Sequence, residues 1–173
     1  MKKFELTTDT KMRFGKKLFR IKALISFGNV KVGDMGGYIE KEENLSQSGN
    51  AWVSGNARVY GDARVYGNAE VSGNTEVSGD AWVYGNAWVY GDAEVSGDAD
   101  YATASGFGSE YRTTTFFKLK NSDEIGVRCG CFYGTLKEFK EIVKETHGET
   151  KKAKEYLMLA DLMEYRFSEE KKA

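Results

Sequence analysis

The 173-residue chain has no proline, one histidine and only two cysteines, Cys129 and Cys131. Two cysteines separated by one residue cannot form a disulfide framework, so we expect a reducing compartment, the cytoplasm. The chain lacks any apolar run near the roughly 18–20 residues that a membrane-spanning helix needs. Its N-terminal segment has no apolar core after the first lysines, so we expect no signal peptide.

The net charge of −1 is distributed unevenly along the chain. Residues 1–48 contain ten Lys and Arg against six Asp and Glu, whereas residues 49–102 contain two against eight. Eight of the N-terminal basic residues lie between Lys2 and Lys22. They are typical of the solvated face of a hairpin, and a basic patch for nucleic acid or an acidic partner is the alternative.

Residues 49–102 divide into nine hexapeptides that each begin with glycine: GNAWVS, GNARVY, GDARVY, GNAEVS, GNTEVS, GDAWVY, GNAWVY, GDAEVS and GDADYA. Alternate residues of an extended chain share a face, so the Ala and Val of a repeat both point inward. The Gly-Asn or Gly-Asp pair supplies a corner, because Gly readily adopts positive φ. Three repeats make one triangular coil, and nine predict about three coils of a parallel β-helix.

This pattern resembles the hexapeptide-repeat, left-handed β-helix superfamily, best known from bacterial acyltransferases, over about a third of the chain. The resemblance implies a left-handed coil and a homotrimer that assembles through flat faces. In those acyltransferases a histidine on the coils acts as general base. The only histidine here, His147, lies outside the repeats. We therefore expect a protein that is not an enzyme, with no cofactor and no metal.

Stacking of every third repeat predicts which side chains share a column. Asn50, Asn68 and Asn86 form an asparagine ladder that can hydrogen-bond along the stack. Asp62, Asp80 and Asp98 form a column of carboxylates that either caps turns or holds a cation. The large variable residues should point away from the coil interior, and exposed aromatics on flat faces favour an interface. The predicted interface residues are Trp52, Tyr66, Trp82, Tyr84, Trp88 and Tyr90, and Tyr60 belongs to the same outward set. Aromatic ladders that only stiffen the prism are the alternative.

The segments on either side of the repeats predict a mainly β chain with three regions. Residues 1–48 form an N-terminal β-hairpin, at 12–24 around Gly15-Lys16, and a cap whose Ile39 and Leu45 make a degenerate first rung. Residues 49–102 are the β-helix. Residues 103–173 form a ββαα module with strands at 111–120 and 124–132 and helices at 135–148 and 150–167.

Two clusters in the C-terminal module have residue types suited to binding. Arg112, Thr114, Arg128 and Thr135 could gather near a helix N-terminus, where phosphate or carboxylate binds. The alternative is threonines of high β-propensity beside surface arginines. Cys129 and Cys131 with His147 could be zinc ligands, and buried free thiols are the alternative.

The stretches FGKKLFRIKAL, GDMGGYIEKEENLS, RTTTFF and GCFYGTLKEFKEIVKETHG, together with the repeats, are similar to a group of uncharacterised phage and prophage proteins. This resemblance implies an accessory gene of a bacterial virus. We therefore expect a non-catalytic binding protein, a counter-defence inhibitor that blocks or sequesters a bacterial immune component. We expect the partner to be a host protein or nucleoprotein complex, with nucleotide or nucleic-acid contact as a further option and no membrane contact. The alternative is a structural scaffold oligomer of the phage, and a hexapeptide acyltransferase is third.

Overall fold

The structure is a computed structural model that describes residues 1–108 and 110–168. The chain divides into two compact units, Met1–Asp98 and Ala99–Ala173. The division thus falls inside the last hexapeptide rather than after it. The first unit contains eleven strands: β1 Phe4–Arg13, β2 Lys16–Ala23, β3 Met35–Ile39, β4 Trp52–Val53, β5 Arg58–Val59, β6 Arg64–Val65, β7 Glu70–Val71, β8 Glu76–Val77, β9 Trp82–Val83, β10 Trp88–Val89 and β11 Glu94–Val95.

Strands β4 to β11 stack as the coils of a parallel β-helix, which confirms the predicted architecture. Val53 pairs with Val71 and Val71 with Val89, so each coil takes three hexapeptides. Strands β4, β7 and β10 form the first wall, β5, β8 and β11 the second, and β6 and β9 the third. The coils account for about three turns.

The interior of the β-helix is filled by the two inward positions of each repeat. The valines of the first eight repeats are fully buried, and the alanines two positions earlier are at most 1% exposed. Thr75 replaces one of these alanines and is also fully buried. Its hydroxyl donates a hydrogen bond of 2.7 Å to the Ser72 carbonyl, so the polar group has a partner in the core.

Glycine occupies every corner between the coil strands, with φ from 62° to 76°. At Gly73, where φ is 74°, an added Cβ would lie only 2.8 Å from the backbone nitrogen of Gly91 in the next coil. Glycine is needed there because of the left-handed backbone and because successive coils approach closely.

Side-chain amides connect the coils at the corners that follow the glycines. Asn50 donates to Asn68 and Asn68 donates to Asn86, both at 3.2 Å, which confirms the predicted asparagine ladder. A second ladder, from Asn56 through Asn74 to Asp92, has donor–acceptor distances of 3.4 and 3.2 Å. Amide contacts therefore join successive coils at two of the three corners.

The ninth hexapeptide does not continue the β-helix, so the prediction of nine coil repeats is wrong by one. Asp98–Asp100 forms a short 3-10 turn, and Tyr101–Ala104 becomes strand β12, which pairs within the second unit. Tyr101 stands where the other repeats have valine. Its ring is too large for the close-packed position that valine fills in the coils.

The N-terminal hairpin is confirmed and is longer than predicted. Strands β1 and β2 pair antiparallel from Phe4 opposite Ala23 to Arg13 opposite Lys16. Phe14 and Gly15 turn the chain with φ of 46° and 77°. Strand β3 pairs antiparallel with β2 and parallel with β5, so the hairpin extends the second wall.

A degenerate first rung precedes the repeats, as predicted from Ile39 and Leu45. Ile39 pairs with Val59 and Leu45 bridges Val65, so these partners are two positions further apart in sequence than partners in the regular coils. The corner between Leu45 and Val53 is therefore two residues longer than the others. The Gln47 side chain in this corner accepts hydrogen bonds from the backbone N–H groups of Lys3 and Phe4, at 2.8 and 3.3 Å.

Two buried charged side chains, Glu76 and Lys3, form contacts that attach the N-terminal segment to the coils. Arg13 forms a bidentate pair with Glu76, at 2.8 Å for each hydrogen bond, and the Tyr60 hydroxyl also contacts Glu76. Burial, with the Glu76 hydrogen bond, raises the pKa of Tyr60 to about 12. The Lys3 ammonium donates to the Ala51 carbonyl at 2.8 Å, and burial lowers the pKa of Lys3 to about 8.

The second unit is a four-stranded antiparallel sheet with two helices. Its elements are β12 Tyr101–Ala104, β13 Thr114–Lys118, β14 Ile125–Cys129, β15 Phe132–Thr135, α1 Leu136–His147 and α2 Lys151–Phe167. Both helices are confirmed, whereas the predicted ββαα order lacked β12 and β15. Strand β12 begins in the last repeat, and β15 begins at Phe132, where the predicted strand at 124–132 ends. No helix in residues 1–108 and 110–168 has an apolar stretch long enough to cross a bilayer.

We expect Gly73→Ala to destabilise the β-helix more than Gly85→Ala. Both positions have φ near 70°, so each alanine incurs roughly 1–2 kcal/mol of backbone strain. A Cβ at Gly85 meets no described heavy atom within 4 Å, whereas at Gly73 it meets Gly91. Overpacking adds about 1–3 kcal/mol at Gly73 alone. Urea unfolding measures the difference, and equal losses in the two variants would contradict the close coil approach.

Lys3 gives the stability of the protein a specific pH dependence. The folded protein releases the Lys3 proton near pH 8 and the unfolded chain near 10.5, so between these values the unfolded chain binds more protons. The free energy of unfolding contributed by this group therefore rises with pH across that window. Relative to Lys3→Met, the wild-type protein should gain stability between about pH 8 and 10. If the difference in free energy of unfolding between the two proteins does not change with pH, Lys3 does not lose its proton in this range, and the account of a buried lysine is contradicted.

Candidate functional site

The third wall of the β-helix carries a cluster of exposed aromatic rings. Tyr66 and Tyr84 lie one coil apart, directly after β6 and β9, and their rings stack at 5.3 Å with an angle of 13°. Trp82 meets the Tyr66 ring edge-on at 6.1 Å. The Arg64 guanidinium lies 5.7 Å from the Trp82 ring. We call Arg64, Tyr66, Trp82 and Tyr84 the aromatic wall.

Much of the aromatic wall is open to solvent. Trp82 is 45% exposed and Tyr84 is 52% exposed. A depression of about 380 Å³ lies beside the rings and is also lined by Glu43 and Ser46. Partial burial, together with Tyr84 and Asp98, raises the pKa of Tyr66, so its phenol remains neutral at physiological pH. The wall is thus an apolar surface with one guanidinium and a polar edge.

The predicted interface residues outside the third wall have different environments. Trp52 is only 5% exposed and packs edge-on against Phe27 at 5.4 Å, so the expectation that it is exposed is wrong. Phe27 comes from the segment before the repeats, which covers this part of the first wall. Trp88 is partly buried, and Tyr90 is 37% exposed.

Tyr60, expected to point outward like the other repeat tyrosines, is 9% exposed. It lies under the N-terminal hairpin, where its hydroxyl contacts Glu76 and its ring is 6.5 Å from Phe14. The second wall is therefore covered at this position and does not offer the tyrosine to a partner.

Two of the stacked turn carboxylates have partners in the first unit. Asp62 pairs with Lys41 at 3.0 Å, and this hydrogen bond lowers the pKa of Asp62. Asp98 accepts the backbone N–H of Trp82 at 2.8 Å. These contacts fit turn capping, one of the two roles predicted for the column. All three carboxylates are exposed and border the third wall.

The four residues of the predicted anion site do not converge. Thr114 pairs with Cys129 across β13 and β14, whereas Arg128 pairs with Thr115, so Thr114 and Arg128 point to opposite faces of the sheet. The Thr114 side chain is buried, and its hydroxyl donates to the Cys129 sulfur at 3.2 Å. The Arg128 guanidinium donates to the Phe132 carbonyl at 3.3 Å.

Thr135 and Arg112 each lie beside a carboxylate. The Glu138 carboxylate accepts from the Thr135 backbone N–H at 2.7 Å and from its hydroxyl at 3.0 Å. Thr135 and Glu138 thus form a capping box, which places a carboxylate where an external anion would bind. Arg112 lies 3.8 Å from Glu110. This arrangement does not support a common anion site of the four residues.

The cysteines are both free, Cys129 partly buried and Cys131 exposed. His147 stacks on Tyr156 with ring centroids 6.0 Å apart. Within the described residues, no group of three or more His, Cys, Asp or Glu side chains is arranged to hold a metal ion. The zinc alternative therefore gains no support from the structure.

The capping role of Thr135 is testable by substitution. Thr135→Ala should lower the free energy of unfolding of the second unit by about 1 kcal/mol, because an N-cap oxygen is lost. Thr135→Ser should retain most of the stability, since serine caps equally well. Thermal unfolding followed by circular dichroism measures both variants. A Thr135→Ala variant as stable as the wild type would show that the capping box contributes nothing to the free energy of unfolding.

The YdcK Beta solenoid repeat family model matches the chain at residues 51–65 and 57–73, which span β4 to β7. A comparison with curated proteins finds no match. The matched residues lie within the part of the first unit in which parallel strands stack every third repeat. The sequence match and the stacked coils together identify this chain as a β-helix repeat protein.

Proposed function

We propose that this protein is a non-catalytic binding protein whose aromatic wall contacts a protein partner. The observation that carries the proposal is the exposed cluster of Tyr66, Trp82 and Tyr84 on a backbone fixed by the coils. Aromatic and arginine side chains contribute most to binding at protein interfaces, and they contribute more when they are held in place before binding. The Tyr66–Tyr84 stack supplies such pre-organisation.

The charges around the aromatic wall favour a protein over a nucleic acid. Asp62, Asp80 and Asp98 are exposed at the corner that leads into the third wall. Carboxylates there repel a phosphate backbone, whose binding depends on Lys and Arg contacts. They complement a partner surface that has an apolar centre and a basic rim.

The narrower proposal is the one that the phage resemblance suggests: a counter-defence inhibitor acting in the bacterial cytoplasm on a component of host immunity. The aromatic wall supports the binding part of this proposal. A catalytic role as an acyltransferase is disfavoured because His147, the sole histidine, belongs to the second unit and not to the coils.

A scaffold that self-associates through the same wall is the second candidate. The two-stranded third wall, with its repeated tyrosine column, would suit contact with copies of this chain. A homotrimer formed in this way would bury Trp82 and Tyr84, the two most exposed rings of the aromatic wall.

A capture experiment with a double variant tests the proposal. The wild-type protein should retain a bacterial protein from lysate after nuclease treatment. The double variant Trp82→Ala with Tyr84→Ala should bind that protein about tenfold or more weakly. Truncating a central interface residue costs roughly 1–2 kcal/mol or more of binding free energy. Tyr111→Ala, which removes an exposed ring of the second unit, should have no effect. Capture that the double variant retains in full would contradict the proposal.

Sedimentation of the same proteins distinguishes the scaffold. If the aromatic wall joins copies of this chain, the wild type should sediment as an oligomer, and the double variant as a monomer with an unchanged circular dichroism spectrum. If the aromatic wall binds a different protein, the wild type and the double variant should sediment alike.

A further inference from the structure

The second unit contains a pocket of about 300 Å³ beside the turn between β14 and β15, a volume at the lower end of small-molecule sites. Its apolar side is formed by Phe132, Phe139, Val143 and Tyr156. The rings contact one another edge-on or tilted: Phe132 and Phe139 at 5.5 Å, and Phe139 and Tyr156 at 5.6 Å. These contacts belong to the core of the unit, so the walls of the pocket are formed before any ligand binds.

The polar side of the pocket contains one basic and one acidic side chain, Arg112 and Glu110. Their charged groups are 3.8 Å apart, and both side chains are more than half exposed. An exposed ion pair at this distance contributes little free energy. Both charges are therefore available to a ligand.

The position of Arg112 is limited by the turn that carries Gly130. Gly130 has φ of 57°, and an added Cβ there would lie 2.9 Å from Nη1 of Arg112. The absence of a side chain at Gly130 lets the guanidinium lie against the turn. The imidazole of His147, stacked on Tyr156, lines the same pocket.

We propose that this pocket binds a small apolar α-amino acid in its zwitterionic form. The apolar side chain lies among Phe132, Phe139 and Val143, the carboxylate pairs with Arg112, and the ammonium pairs with Glu110. A guanidinium matches a carboxylate with two parallel hydrogen bonds, and a carboxylate accepts from an ammonium. A ligand with both charges on one carbon satisfies the opposite charges of Arg112 and Glu110 together.

The chemistry of the pocket disfavours ligands with a single kind of charge. A simple carboxylate would pair with Arg112 but meet repulsion from Glu110, and a nucleotide would bring several negative charges to that carboxylate. A simple amine would pair with Glu110 but meet repulsion from Arg112. The volume is on the order of ten waters, which suits a side chain the size of leucine or phenylalanine.

Calorimetric titration of the full chain with three related compounds tests the ligand class. L-phenylalanine should bind with a measurable, saturable heat. The analogues 3-phenylpropionate, which lacks the amine, and 2-phenylethylamine, which lacks the carboxylate, should each bind at least about tenfold more weakly. Binding of either analogue as tight as that of phenylalanine would overturn the zwitterion assignment. No saturable binding of either L-phenylalanine or L-leucine would overturn the site.

Substitutions place the binding in this pocket. Arg112→Ala and Glu110→Gln should each weaken phenylalanine binding about tenfold or more, while Lys137→Ala and Glu141→Gln, matched charge changes on the exposed face of α1, should leave it unchanged. Thr146→Trp fills the pocket from an exposed helical position and should abolish binding. Circular dichroism confirms that each variant is folded. Undiminished binding by a folded Thr146→Trp protein would place the ligand elsewhere and overturn the proposal.

Discussion

The close approach of backbones at the corners of successive coils is the constraint on which the first unit depends. At Gly49 an added Cβ would lie 2.6 Å from the Gly67 carbonyl of the next coil, so only glycine permits this spacing. The corner fixes where each strand begins, and a fixed start brings residues from every third repeat into register. The valine columns inside and the asparagine ladders outside both follow from that register.

The same register gives the three walls of the prism different surroundings. The N-terminal hairpin extends the second wall, and Arg13 fixes it there through the buried Glu76. Phe27 covers Trp52 on the first wall. The third wall keeps Trp82 and Tyr84 exposed. A regular repeat thus produces one surface suited to binding, because other segments of the first unit occupy positions on the other two walls.

The features that follow from the period of the repeat could be predicted from the sequence. The coil length, the inward valines, the asparagine ladder and the Tyr66–Tyr84 column all depend on the hexapeptide spacing and on the return of the chain after three repeats. The helix that Thr135 caps was predictable because its capping signals, Thr135 and Glu138, lie close together in the sequence. The ion pair between Arg13 and Glu76 could not be predicted, because it joins residues 63 positions apart. No local pattern shows which glutamate of the repeats the N-terminal hairpin covers.

The predicted anion site depended on a pairing register that the sequence does not reveal. Neighbouring positions of a strand face opposite sides, so a shift of one residue decides whether Thr114 or Thr115 accompanies Arg128. The structure pairs Thr115 with Arg128. The ninth repeat shows the converse error: its spacing continues the pattern, but Tyr101 does not fit the interior. The chain leaves the β-helix at this repeat, although the glycine spacing alone predicts another coil strand.

Hydroxyl-radical footprinting of the free protein and of the protein bound to its captured partner tests the central claim most directly. In the free protein, Trp82 and Tyr84 should be oxidised much faster than Trp52, which is buried under Phe27. In the complex, oxidation of Trp82 and Tyr84 should fall sharply while that of Tyr111 remains unchanged. A complex in which Trp82 and Tyr84 are oxidised as fast as in the free protein would contradict a β-helix that binds through its aromatic wall.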